Sequence, residues 1–212
     1  MASTNYTTAD AAASALVNAA VAAGLTPSTS LSAQQLPLSV LANMLAGQAG
    51  GAGLAVAGGA GFTGGEGTVL KTGVSTTGGI IKTDILVDLT GLDDFAAGDI
   101  IGVNASTDPA HLGQITAARN GTIFAVRMTC LELPAGGDVD IDLYVASEGT
   151  GAPDSAISAL TETQVINSGD WTEGAVKLAQ TIAANKYLYL VNGDTTAGTY
   201  TAGKYLIELF GY

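Results

Sequence analysis

The stretch that decides the fold class is Asp138-Val-Asp-Ile-Asp-Leu-Tyr-Val145, in which apolar and acidic residues alternate. A period of two is typical of a strand that buries one face. The residues predicted to face a core are Val139, Ile141 and Leu143, and those predicted to face water are Asp138, Asp140 and Asp142. Pro134-Ala-Gly-Gly137 precedes the stretch and predicts a turn. The stretch therefore indicates a half-buried β-strand that follows a turn.

The same period extends in both directions from residue 68 onward. In 81–88, Ile81, Thr83, Ile85 and Val87 alternate with Lys82, Asp84, Leu86 and Asp88. Asn120-Gly121, between two β-prone runs in 115–126, predicts a two-residue hairpin turn. Further strands are predicted near 99–104, 165–166, 175–182, 186–191 and 204–210. About eight to ten short strands at this spacing predict a mainly β fold, an antiparallel β-sandwich or a jelly-roll-like domain.

Charge divides the chain near residue 66. Asp10 is the one charged residue before that point, although the whole chain has 19 acidic and 7 basic residues. Ten glycines then fall within 47–67, which is the composition of a linker. We therefore predict a low-charge, partly helical N-terminal arm over 1–46, a Gly-rich linker over 47–67, and an acidic antiparallel β-sandwich domain over 68–212.

The predicted arm is apolar enough to lie against other protein. A helix is expected from the cap at 7–10 to Ala23, ended by Gly24, and a second from Pro37 to Ala46. A solvated surface would hardly omit charge for 65 residues. The residues predicted to form an interface are Leu16, Val17, Val21, Leu36, Leu38, Leu41, Met44 and Leu45.

The net charge of −12 argues against several partners. No two of the seven basic residues are neighbours in sequence, whereas nucleic-acid binding needs clustered cations. The same scatter argues against an anionic membrane surface, and the apolar run 41–56 is interrupted too often to predict a membrane span. We therefore predict neither nucleic acid nor membrane as a partner.

Nucleophilic catalysis would have to use His111, the single histidine, with Cys130, the single cysteine, as one conceivable partner. His111 lies in a loop by its Pro and Gly neighbours and is expected at the surface. Cys130 shares a strand face with Phe124, Val126 and Met128 and is expected in the core. The chain is therefore predicted not to be an enzyme, with no catalytic residue.

Metal and cofactor sites are not predicted either. One His and one Cys leave a zinc site two ligands short. A calcium site is harder to exclude than a zinc site, because Asp93-Asp94, Asp99 and the aspartates of 138–142 carry oxygen ligands. We prefer to interpret the aspartates of 138–142 as a solvated strand face. Trp171, the single tryptophan, is either a ligand or interface anchor or a plug at one end of the sandwich. The tyrosines at 187, 189, 200 and 205 are expected to pack in hairpins.

The low-charge arm, the Gly-rich linker and an acidic β domain that ends in Gly203-Lys-Tyr-Leu-Ile-Glu-Leu-Phe-Gly211 resemble virion structural proteins of tailed marine phages. Among these, the chain is most similar to capsid decoration, or cement, proteins. The resemblance implies a homotrimer on the outer surface of the capsid that binds and clamps neighbouring major capsid protein subunits. The alternative is a host-receptor or carbohydrate-binding module associated with a tail or head fibre, which would bind a glycan through exposed Trp171 and tyrosines. A hydrolase that uses His111 is the third possibility.

Overall fold

A computed structural model describes Leu54, 57–195 and 197–212 of the chain. The chain divides after Gly50, and all described residues belong to the unit Gly51–Tyr212. The residues predicted to form an interface through the N-terminal arm, Leu16 to Leu45, lie outside the described residues, as do both predicted helices.

The described unit is built from antiparallel strands, which confirms the predicted mainly β fold. The strands, in chain order, are β1 (Val69–Thr77), β2 (Ile80–Asp88), β3 (Asp93–Asp94), β4 (Gly113–Ile115), β5 (Ile123–Ala135), β6 (Ile141–Ala146), β7 (Glu162–Ile166), β8 (Val176–Ala179), β9 (Lys186–Asn192), β10 (Gly198–Thr199) and β11 (Ala202–Gly211). The short helices are α1 (Ala60–Thr63), α2 (Ala117–Asn120) and a 3-10 turn at Ile157–Ala159.

Five strands form the larger sheet, in the order β1-β2-β11-β5-β8. β1 and β2 make a hairpin through Gly78 and Gly79, whose φ angles of 60° and 84° suit a two-residue turn. The last strand, β11, lies at the centre between β2 and β5. The alternation predicted for 81–88 is confirmed, because Thr83, Ile85 and Val87 are buried.

Four strands form the second sheet, in the order β4-β9-β6-β7, and β3 pairs with β10 in a third, two-stranded piece. The inner side chains of both larger sheets belong to one hydrophobic core. Representative members are Ile85, Met128 and Ile207 from the first sheet and Leu143 and Leu190 from the second. Burial of apolar surface between two antiparallel sheets is the arrangement of a sandwich.

The described end of the Gly-rich segment, 57–67, packs on the domain instead of hanging free. Gly59 and Gly61 donate backbone hydrogen bonds to the carbonyls of His111 and Pro109, at 2.8 and 2.9 Å. A Cβ added to either glycine would lie within 2.2 Å of a backbone carbonyl oxygen, so close approach requires glycine at both positions. Phe62 is fully buried beside them. The glycines here serve packing, which composition alone does not distinguish from flexibility.

The hairpin predicted at Asn120-Gly121 is wrong. Residues 117–120 form the helical turn α2, and β4 pairs with β9 rather than with β5. Asn120 is fully buried: its amide oxygen accepts from the Thr116 N–H at 2.9 Å, and its amide nitrogen donates to the Thr83 hydroxyl at 2.9 Å. One local and one long-range bond thus stabilise a helical turn where the sequence favours a type I′ turn.

The strand face predicted for β5 is correct except at its start. Val126, Met128 and Cys130 are buried, but Phe124 is 45% exposed. The β5–β11 register shifts between Phe210 and Gly211, so β5 carries one extra residue there. This bulge turns Ile123 into the core and Phe124 outward, since one inserted residue reverses the side-chain parity.

Candidate interaction surface

Side chains on the larger sheet that point away from the core form a surface of mixed charge, here called the outer face. Its members are Lys71, Lys82, Asp84, Leu86, Asp88, Arg127, Glu132, Val176, Leu178, Lys204, Leu206, Glu208 and Phe210. They follow from register, because residues directly opposite in an antiparallel pair share one face.

Glu208 is the centre of the outer face. Its carboxylate accepts two hydrogen bonds from the Arg127 guanidinium, one of them at 2.6 Å from Nη2, and lies 2.8 Å from the Lys82 ammonium. It is 1% exposed. The Arg127 guanidinium lowers the pKa of Glu208, and Lys82 acts in the same direction. The carboxylate is therefore ionised and held in a fixed geometry.

Two further ionic contacts lie toward the other end of the outer face. The Lys204 ammonium contacts the Asp88 carboxylate at 3.4 Å and donates to the Glu132 carboxylate. The Arg127 guanidinium also lies 5.9 Å from the centre of the Phe210 ring, a cation–π distance. The outer face thus combines paired charges with partly exposed apolar side chains.

Charge is distributed unequally between the outer face and the rest of the domain. The face has four basic and four acidic side chains and is formally neutral. The remaining residues from 66 onward have fourteen acidic against three basic side chains, a formal charge of −11. Another acidic molecule therefore meets less repulsion at the outer face than over the remainder of this acidic domain taken together.

The outer face ends at the edge strand β8. Val176 is 51% exposed and Leu178 is 75% exposed, and they lie opposite Thr129 and Arg127 of β5. Leu178 is thus an almost fully solvated apolar side chain beside an ordered ion pair.

His111 was expected at the surface, but it is buried, with 7% exposure. Its ring packs against the rings of Tyr187 and Tyr189, with centroids 5.0 and 6.2 Å apart, and its Nδ1 is buried without a hydrogen-bond partner. Burial lowers the pKa of His111, so the imidazole is neutral at pH 7. Tyr189 fixes the adjacent loop, accepting from the Gly151 N–H and donating to the Glu148 carbonyl.

Cys130 lies in the core, as predicted, and burial raises the pKa of its thiol. Its Sγ contacts the carbonyl oxygen of Glu132 at 3.4 Å. A reactive cysteine requires a lowered thiol pKa. The environment of Cys130 instead favours the neutral thiol, and that of His111 favours the neutral imidazole, so neither group is prepared for nucleophilic chemistry.

The expectation that Asp138 and Asp142 face water is wrong, since each is 5% exposed. The Asp142 carboxylate accepts from the Ser168 N–H at 2.8 Å and from the Gln164 amide at 2.7 Å. The Ser168 hydroxyl donates to the Asp140 carboxylate at 2.9 Å, and Asp138 accepts from the Asp140 N–H at the same distance. These bonds satisfy the carboxylates internally, and no group of three or more His, Cys, Asp or Glu side chains within the described part is arranged to hold a metal ion.

Asp94 has a comparable internal role. Its carboxylate accepts from the backbone N–H groups of Asp138 and Gly198 and from the Tyr200 hydroxyl at 3.2 Å. Burial raises the pKa of Asp94 although these bonds oppose the shift. Four of the aspartates that suggested calcium, at positions 94, 138, 140 and 142, thus accept hydrogen bonds from within the fold.

Trp171 is 2% exposed, and its indole N–H donates to the Ile141 carbonyl at 2.9 Å. The ring packs edge-on against Tyr205 at 5.3 Å and has the Lys177 ammonium 5.9 Å from its centre. The indole therefore closes the core, one of the two roles left open by the sequence. Within the described residues, the exposed aromatic side chains are instead Phe124 and Tyr212, whose ring centroids are 6.1 Å apart.

The outer face was not predicted as a site. The sequence features that could have indicated it are the polar residues Lys82, Asp84 and Asp88 of the alternation in 81–88, and Glu208 in the C-terminal stretch 203–211. Their assembly depends on β11 pairing between β2 and β5, a long-range order that local pattern does not specify.

Comparison with known protein families, with curated proteins and with solved structures finds no match to this chain. None of the helices in the described part is long and apolar enough to cross a membrane.

Proposed function

We propose that this chain is a phage head decoration, or cement, protein that binds the outer surface of the capsid and clamps neighbouring major capsid subunits. The observation that carries the proposal is the distribution of charge. The first 65 residues contain one charged side chain, Asp10, and the remainder contains twenty-five. A long apolar segment joined to a charged, well-packed β domain suits a protein that anchors through one part and stays solvated through the other.

The proposed mechanism is clamping. The arm orders on the shell and gains contact area at an entropic cost, which is characteristic of segments that fold on binding. The base of the β domain bridges adjacent subunits, and its acidic surface remains in water. In this proposal the decoration protein is a homotrimer, and clamping uses no catalytic group, metal or cofactor.

The test is a truncation that removes residues 1–50. This boundary keeps Leu54 and Phe62, which are buried in the domain core. Heads assembled from the major capsid protein without this chain are mixed with the full or the truncated protein and sedimented. The full chain should co-sediment and the truncated chain should stay in the supernatant, while both unfold cooperatively in urea. Co-sedimentation of the truncated chain would overturn the role given to the arm.

The alternative, a carbohydrate- or host-binding module, has a different location for its ligand. Because Trp171 is buried, the exposed ring pair Phe124 and Tyr212 is the surface that favours it. A glycan array with the full chain and a Tyr212→Ala variant tests this alternative. Glycan binding that the variant loses would support it, and an array without signal would exclude the tested glycans.

A further inference from the structure

β8 is an apolar edge strand. Among the strands of the described residues, it lies at one end of the larger sheet and pairs only with β5. The Cys130 N–H donates to the Ala175 carbonyl at 3.0 Å, and bonded pairs alternate along an antiparallel ladder. The backbone groups of Val176 and Leu178 consequently point to the open side, and the side chains of the same two residues are exposed.

Sheet edges are normally protected by charge, proline or bulges. The single charge of β8 is Lys177, but its ammonium donates to the Ser168 carbonyl at 2.9 Å and lies beside the Trp171 ring, on the inner side of the sheet. The outward side of the edge therefore presents Val176 and Leu178 without the charge that would discourage association.

We infer that β8 and the adjoining outer face bind a second copy of this chain. The balanced charge of the outer face favours a second copy of this chain as the partner. Two copies of an acidic domain repel one another through surfaces that carry −11, but not through a face whose four basic and four acidic groups balance. Many of those groups are already paired within the copy, as Arg127 and Lys82 are with Glu208, so they present no uncompensated charge to the other copy.

The contact would bury Leu178 and Val176 against another copy, and an edge of that copy would satisfy their open backbone groups. Apolar area at the centre and paired charges around it are the composition of a protein–protein interface. The inference stands on the charge and exposure of the described domain and does not depend on capsid binding.

The test is the mass of the full chain in solution, measured by sedimentation velocity across a dilution series. The wild type should exceed the monomer mass of 21.0 kDa. Leu178→Glu and Leu178→Lys should both weaken the self-association constant by on the order of 100-fold, because either charge must be desolvated where an apolar side chain was buried. Leu178→Glu and Leu178→Lys change the net charge in opposite directions, so an equal effect of both is caused by the lost apolar contact and not by net charge.

Thr163→Glu is the matched control, since it adds a charge at an exposed position of β7 in the other sheet. It should leave the mass unchanged, and urea unfolding of all variants should match the wild type. A monomeric wild type would overturn the inference, as would an oligomer that both Leu178 variants retain, which would assign self-association to another surface.

Salt supplies a second readout. Screening weakens the repulsion between the acidic remainders of two copies, so association should tighten between low and high ionic strength. Association that weakens with salt would mean that attraction between opposite charges drives it, and would contradict the argument from a balanced face.

Discussion

Replacement of Glu208 by Gln probes the ion-pair network on which the outer face is built. The change keeps the shape of the side chain and one acceptor oxygen, but it places an amide N–H₂ against a donor of Arg127 or Lys82. Glu208 is 1% exposed, whereas the Arg127 and Lys82 side chains are 44% and 36% exposed. Water can therefore solvate both cations once their partner is neutral.

This exposure sets the magnitude. Breaking a fully buried ion pair destabilises a protein by about 3–5 kcal/mol, because a charge is left uncompensated. In the Glu208→Gln variant, the charges of Arg127 and Lys82 remain accessible to water. The free energy of unfolding should therefore fall only by the contribution of the charge-assisted hydrogen bonds, about 1.5–3 kcal/mol. The lowered pKa of Glu208 means that its contribution is complete above its ordinary value of 4.5 and is lost as the pH falls through the lower folded-state value.

Urea unfolding at pH 7 and at pH 3.5 measures both effects. The control is Glu132→Gln, which removes a partner of Lys204 where both side chains are more than 40% exposed, and should cost below about 1 kcal/mol. At pH 7 the Glu208 variant should be the less stable of the two, and its deficit should shrink at the lower pH. Equal stability of the two variants would refute the assignment of Glu208 as the organising residue of the outer face.

Three further perturbations test other parts of the structure. Burial lowers the pKa of His111 below its ordinary 6.5, so the stability that it contributes is complete above about pH 6.5 and is lost as the pH falls through the folded-state value. In His111→Phe, thermal stability should fall less between pH 7.5 and pH 5.5 than it does in the wild type. An equal fall in the variant and the wild type would contradict a role of His111 in acid sensitivity. Gly121→Ala should lower the free energy of unfolding by about 1–3 kcal/mol, because φ is 70° and the added Cβ would meet the Tyr212 carbonyl oxygen at 2.7 Å. Gly73→Ala, where no atom lies within 4 Å of the Cβ, is its control, and equal effects in urea unfolding would refute the steric argument. Trp171→Phe should destabilise the domain by about 1–3 kcal/mol through the lost indole hydrogen bond, and unchanged urea unfolding would show that this bond does not contribute.

The fold class followed from sequence because period two survives wherever one face of a strand is buried. Thr83, Ile85 and Val87 show this in β2, and Val126, Met128 and Cys130 show it in β5. The pairing order did not follow. β11 lies between β2 and β5 although more than a hundred residues separate it from β2, and local pattern carries no information on such a partner.

The errors at Asn120 and Asp142 share a physical cause, which is a polar side chain that bonds to a residue distant in sequence. The sequence around Asn120 predicts a turn, but in the structure its side-chain amide bonds to Thr83. The sequence around Asp142 predicts a solvated face, but in the structure its carboxylate accepts hydrogen bonds from Ser168 and Gln164. Burial of such groups is favourable only when the hydrogen-bond partner is present. That partner comes from the tertiary fold, so period and composition miss it.

The candidate site was harder to predict than the fold for the same reason. Arg127 and Glu208 are 81 residues apart in sequence, and only their register across β5 and β11 brings them together. The exposure of Leu178 likewise depends on β8 being the last strand of its sheet. In the sequence alone, Val176 and Leu178 look like ordinary core residues of a predicted strand at 175–182.

The most direct test of the proposed function is co-sedimentation of the full chain with heads that lack it, followed by cryo-EM of the pelleted particles. We expect additional density at regular, symmetry-related positions on the outer surface of the shell, with the β domain outermost. Heads that pellet without the protein and show a bare shell would contradict capsid decoration.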